Sequence, residues 1–79
     1  MKFYNVKLSF LKDEENDDEH YYVVTYEDNI TTVVNHIIQK SNKKDFLTNV
    51  NFSERKSYKL TFASLDVMDE DFALIVKTY

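Results

Sequence analysis

Carboxylates are the reactive groups this chain concentrates. Six of them, Asp13, Glu14, Glu15, Asp17, Asp18 and Glu19, fall within seven residues, and four more, Asp66, Asp69, Glu70 and Asp71, fall within six. Ten of the fourteen acidic residues therefore lie in two short segments. Three kinds of chemistry use such a density. General acid–base catalysis needs one carboxyl of a pair desolvated so that its pKa rises; the polar run DEENDDE has no apolar pocket in sequence. Calcium loops alternate oxygen ligands around a glycine and end on a glutamate; this chain has no glycine and the run is too short. The third chemistry is electrostatic. A cluster of carboxylates steers basic surfaces toward it and repels nucleic acid. The plainer alternative is a pair of solvated loops that keep hairpins soluble.

The other chemistry-bearing residues are sparse. His36 falls on the polar side of a helical pattern with Thr32 and Gln39, with no carboxylate or histidine one turn away. His20 joins the acidic run to an apolar one and reads as a local counter-ion. Ser9, Ser41, Ser53, Ser57 and Ser64 show no nucleophile spacing, and the chain contains no cysteine. The chain is read as a non-enzyme with no cofactor and no metal. Six tyrosines suggest base-stacking platforms, but those lie in positively charged grooves. This chain carries a formal charge of −4, so core or interface packing is the expected role and direct nucleic-acid binding is not.

Positioning these groups falls to a single small domain of 79 residues. With neither glycine nor proline, turns must use Asn, Asp, Ser and Lys, so connections of four or more residues are expected. Residues 3–11 alternate, with Tyr4, Val6, Leu8 and Phe10 on one side, as in a half-buried strand. Residues 20–27, HYYVVTYE, have no polar face and suit a strand covered on both sides, or a central one. Ile30, Val33, Val34, Ile37 and Ile38 form the stripe of an amphipathic helix capped by Asp28 or Asn29. Residues 46–52 favour a strand over a short helix, 53–56 a turn, and 57–65 a strand. Residues 66–71 read as an acidic connection and 72–79 as a last strand. The order β-β-α-β-β-β implies a two-layer α+β domain, one helix on a mostly antiparallel sheet.

If each element reverses direction at its connection, 12–19 and 66–71 emerge at one end of the domain. Their ten carboxylates then form one acidic pole, with Tyr21 and Tyr22 as nearby aromatic anchors. There is no apolar run of bilayer length. The opening MKFYNVKLSF reads as a strand, not a signal peptide, so a cytoplasmic protein is expected.

In length, charge and lack of catalytic residues, the chain resembles small acidic proteins encoded by phages and mobile elements: DNA mimics, anti-CRISPR proteins and sliding-clamp inhibitors. The resemblance implies an inhibitor in the host cytoplasm that lodges its acidic end in the basic channel of a nucleic-acid-binding protein. Its binding residues would be Asp13, Glu14, Glu15, Asp17, Asp18, Glu19, Tyr21, Tyr22, Asp66, Asp69, Glu70 and Asp71. The alternative is a homodimeric assembly protein, joined at a sheet edge or aromatic face, whose acids only confer solubility.

Overall fold

The computed structural model describes residues 1–56 and 66–78, with 66–69 described by their backbone. The apolar alternation near the N-terminus forms strand β1 (Lys2–Lys12), which buries Tyr4, Val6, Leu8 and Phe10. Strand β2 (Glu15–Thr25) buries Glu19, Tyr21, Val23 and Thr25 with the same two-residue period. Helix α1 (Ile30–Lys40) follows, and Asn29 caps it by accepting a hydrogen bond from the Thr31 amide at 3.1 Å. A single 3₁₀ turn (Lys44–Phe46) leads into β3 (Leu47–Arg55); β4 (Asp66–Glu70) and β5 (Ala73–Thr78) close the described chain.

All strand pairs are antiparallel, in the order β3-β1-β2-β5-β4. The domain is α+β and has two layers, with one helix against the sheet. Ile30, Val33, Val34 and Ile37 of α1 share the core with Leu8, Phe10, Val23 and Ile75. Each fully buried side chain of this kind contributes about 1.5–3 kcal/mol. Propensity runs against a helix rich in Val, Ile and Thr. The buried stripe overrides it, because most helical stability in proteins comes from packing one face.

β2 is central, as its missing polar face predicts. Three other expectations fail. The first hairpin closes on only two residues, Asp13 and Glu14, both left-handed with φ of 52° and 66°. This twist matches that of the flanking strands, so strand pairing from Lys2↔Thr25 to Lys12↔Glu15 overrides the cost of placing Asp and Glu there. Ser53, Glu54 and Arg55 are not a turn; they extend β3 and pair with Asn5, Tyr4 and Phe3. Residues 66–70 are a strand, not a connection. The strand expected over 57–65 lies outside the described residues.

The last difference rearranges the poles. β5 runs antiparallel to β2, and β4 antiparallel to β5, with Glu70 opposite Ala73 and Ala73 opposite Thr25. The two-residue turn at Asp71 and Phe72 therefore sits at the Thr25 end. The Asp13–Glu14 turn sits at the other end. Thr25 fixes this arrangement: its hydroxyl donates to the Phe72 carbonyl at 2.5 Å and accepts from the Glu27 amide at 2.9 Å.

Candidate functional site

The acidic residues do not gather into one pole. Asp13, Glu14 and Glu15 occupy one end of the sheet; Glu70 and Asp71 occupy the other. Asp66 lies opposite Lys77 in the register and Asp69 opposite Leu74, so these two are distributed along β4. The expectation of a single ten-carboxylate surface is corrected on this geometry. That expectation took 66–71 as a connection; Asp66–Glu70 is instead strand β4, which runs in the same direction as β2 and carries Glu70 and Asp71 to the Thr25 end.

Much of the acidic charge is also paired internally. Strand parity decides which groups turn inward. Glu19 shares the helix side with Tyr21, Val23 and Thr25, and is only 8% exposed. The Tyr21 hydroxyl donates to it at 2.9 Å, the Lys77 ammonium at 3.1 Å and the Lys43 ammonium at 3.5 Å. Burial alone pushes the Glu19 carboxyl up. The hydrogen bonds from Tyr21 and Lys77 and the charges of Lys77 and Lys43 outweigh it and hold the group below its ordinary value of 4.5. Lys43 also bonds Asp17, whose carboxylate raises the lysine's pKa, and lies 5.9 Å from the centre of the Phe10 ring. On the opposite face, Asp18 pairs with Lys7 at 3.6 Å. Lys7, not His20, is the cation the structure sets against Asp18; His20 stands across from Lys7 in the register.

This network corrects the role expected for Tyr21, which is a core residue tied to Glu19 and not an aromatic anchor at a rim. Tyr22 lies half-buried on the other face of the sheet. It borders a shallow depression of about 440 Å³ with Asn5, Lys7, His20, Asn51 and Thr78. Among the described residues, Asn5 Oδ1 is buried there without a hydrogen-bond partner.

The second acidic segment is tied down in its own way. Glu70 bonds Lys40 and lies 3.1 Å from His36 Nε2. The Lys40 and His36 contacts together hold the Glu70 carboxyl below its ordinary range. The His36 ring meets Phe72 edge-on at 5.4 Å. The sequence places no carboxylate one turn from His36; the sheet supplies one from 34 positions along the chain. At the same pole Asp28 pairs with Lys2 at 3.4 Å, and the bond raises the pKa of the lysine.

Among the described residues, Asp13, Glu14 and Glu15 are exposed carboxylates with no ion pair, and no three His, Asp or Glu residues gather in a way that could hold a metal. A site that the sequence reading passed over is the β3 edge. Among the described residues β3 pairs on one side only, with β1, although Leu47 and Val50 pack against the rim of the core. Residues Asn51 to Arg55 are all exposed. Phe52 stands opposite buried Val6 on the helix side, yet 46% of it is exposed; Val50, opposite Leu8, is half-buried. Between Leu47 and Ser53 there is no charged residue. The available signal was the pair of apolar residues Val50 and Phe52, set two apart between asparagines. Comparison with family models, with curated proteins and with solved structures finds no match for this chain.

Proposed function

We propose that this chain is a non-enzymatic interaction protein that binds another polypeptide through strand addition at β3. The observation that carries this reading is the edge of β3, unpaired among the described residues. A sheet edge presents unpaired backbone N–H and C=O groups, and proteins that must stay apart blunt it with charges, proline, bulges or short strands. β3 is nine residues long and has no proline, and its one register irregularity lies near its start, where Phe10 pairs Leu47. Strand addition supplies main-chain hydrogen bonds, and alternate side chains give the fit; Val50 and Phe52 are the alternate pair on the helix side. The acids, on this reading, act in packing and solubility.

The charge-mimic reading keeps one supporting observation. Asp13, Glu14 and Glu15 project together from a tight turn at one tip. On that reading they enter the basic surface of a nucleic-acid-binding protein. Affinity capture from a bacterial lysate with the native chain, Phe52→Lys, and Asp13→Asn/Glu14→Gln/Glu15→Gln, each at 0.05 and 0.5 M NaCl, separates the two. Strand addition expects capture that persists at high salt and is lost with Phe52→Lys. Capture lost in salt and in the triple variant, but kept by Phe52→Lys, overturns it in favour of mimicry.

A further inference from the structure

The β3 edge is matched to itself. Its nine residues, Leu47–Arg55, carry one acidic and one basic side chain and are neutral as a whole. The opposite edge, β4, carries three acids in five residues, Asp66, Asp69 and Glu70, so two copies meeting there bring like charges together. An antiparallel pair of β3 strands centred on Asn51 overlaps all nine residues. In that register Val50 faces Phe52 of the other copy, twice, on the helix side. Glu54 faces Thr48 and Arg55 faces Leu47, so no like charges are opposed. Shifting the centre to Val50 or to Phe52 shortens the overlap and breaks the Val–Phe match.

We infer that the occupant of the β3 edge is a second copy of this chain, paired about a twofold axis at Asn51 to give a continuous ten-stranded sheet with both helices on one side. The inference rests on the strand-addition reading and names its partner. The twofold axis stands perpendicular to the sheet, so both copies present the same face in the same direction. The half-buried Val50 and the exposed Phe52 of each copy then form one apolar row on the helix side. One strand pair with its flanking side chains falls in the smallest class of specific interfaces, below about 1,200 Å². The expected dissociation constant is on the order of 1–100 μM, in the range of weak association.

The chain has no cysteine, so a single introduced thiol reports the axis cleanly. Directly opposed residues in an antiparallel pair have Cα atoms about 4.5–5.5 Å apart, within disulfide reach. The experiment compares Asn51→Cys with Asn49→Cys and Ser53→Cys under mild oxidation, alongside sedimentation equilibrium of the native chain and of Phe52→Lys. Asn51→Cys is expected to cross-link at least tenfold faster than either off-axis variant alone. Asn49→Cys mixed with Ser53→Cys should recover the fast rate, since that register opposes the two positions. Phe52→Lys should weaken the native dimer at least tenfold. Equal cross-linking at all three positions, or a native chain that stays monomeric at millimolar concentration, overturns the self-pairing. If the chain is monomeric while Phe52→Lys still abolishes capture of another protein, the edge binds a foreign strand: the second copy is refuted and strand addition stands. If neither association nor capture responds to Phe52→Lys, both fail.

Discussion

The two edges of the sheet are built differently. β4 carries three carboxylates in five residues and is bolted to α1, where Glu70 meets Lys40 and His36. β3 carries no charge until Glu54, and seven of its nine residues are exposed. Charge on an edge strand discourages a second strand from adding to it. Among the described residues, protection is thus present at one edge and absent at the other, and the proposed association rests on that difference. Where the remaining acids fall matters as much. Asp17, Asp18 and Glu19 meet Lys43, Lys7 and Lys77, so half of the densest acidic segment is paired within the fold, with Glu19 alone buried.

The largest expected effect comes from placing the same lysine on either edge. Phe52→Lys should weaken self-association at least tenfold, and Val67→Lys on β4 should leave it within about twofold; analytical ultracentrifugation reads both. Equal losses would erase the distinction between the edges. Next is Glu19→Gln, which asks whether the acids of β2 are structural. It removes the buried carboxylate on which Tyr21, Lys77 and Lys43 converge and should cost about 2 kcal/mol, the scale of losing hydrogen bonds to a charged group. Urea denaturation measures the loss, and a change within error would mean that Glu19 is not part of the core network.

Glu14→Gly should act in the opposite direction. It relieves a left-handed non-glycine residue at φ 66° in the two-residue turn and should stabilise by about 1 kcal/mol without moving either edge. Acid titration gives a smaller effect. Glu19 and Glu70 both lie below their ordinary 4.5, so the unfolded chain binds more protons than the folded one at low pH. Their contribution is present above pH 4.5 and is lost as pH falls through the depressed folded values. Melting temperature should drop below that pH, less steeply in Glu19→Gln. The smallest effect is expected from Glu70→Gln. It frees the β4 edge from the exposed Lys40 contact, and the slight destabilisation should vanish above about 0.5 M salt, where exposed ion pairs are screened.

The sequence exposes some of this architecture because local pattern and burial coincide there. Tyr4, Val6, Leu8 and Phe10 alternate because β1 buries one face, and the Ile30–Ile38 stripe has helical period because α1 buries one side. The two-residue turn is hidden because Asp13 and Glu14 adopt a conformation that usually calls for glycine, and only the long β1–β2 pairing makes it stable. β4 is hidden because its acids imitate a loop; partnership with β5 is what makes Asp66–Glu70 a strand. Glu19 looks locally like its solvated neighbours. Its position two before Tyr21, four before Val23 and six before Thr25 places it on the buried face, a periodicity visible once β2 is extended back through the acidic run.

Sedimentation equilibrium of the native chain, from micromolar to millimolar and at 0.05 and 0.5 M NaCl, tests the central claim most directly. Association through a β3 edge of no net charge predicts an average mass rising from 9.5 kDa toward twice that value, with a dissociation constant that changes little with salt. A mass fixed at 9.5 kDa throughout, or a dimer that salt disperses, would contradict it.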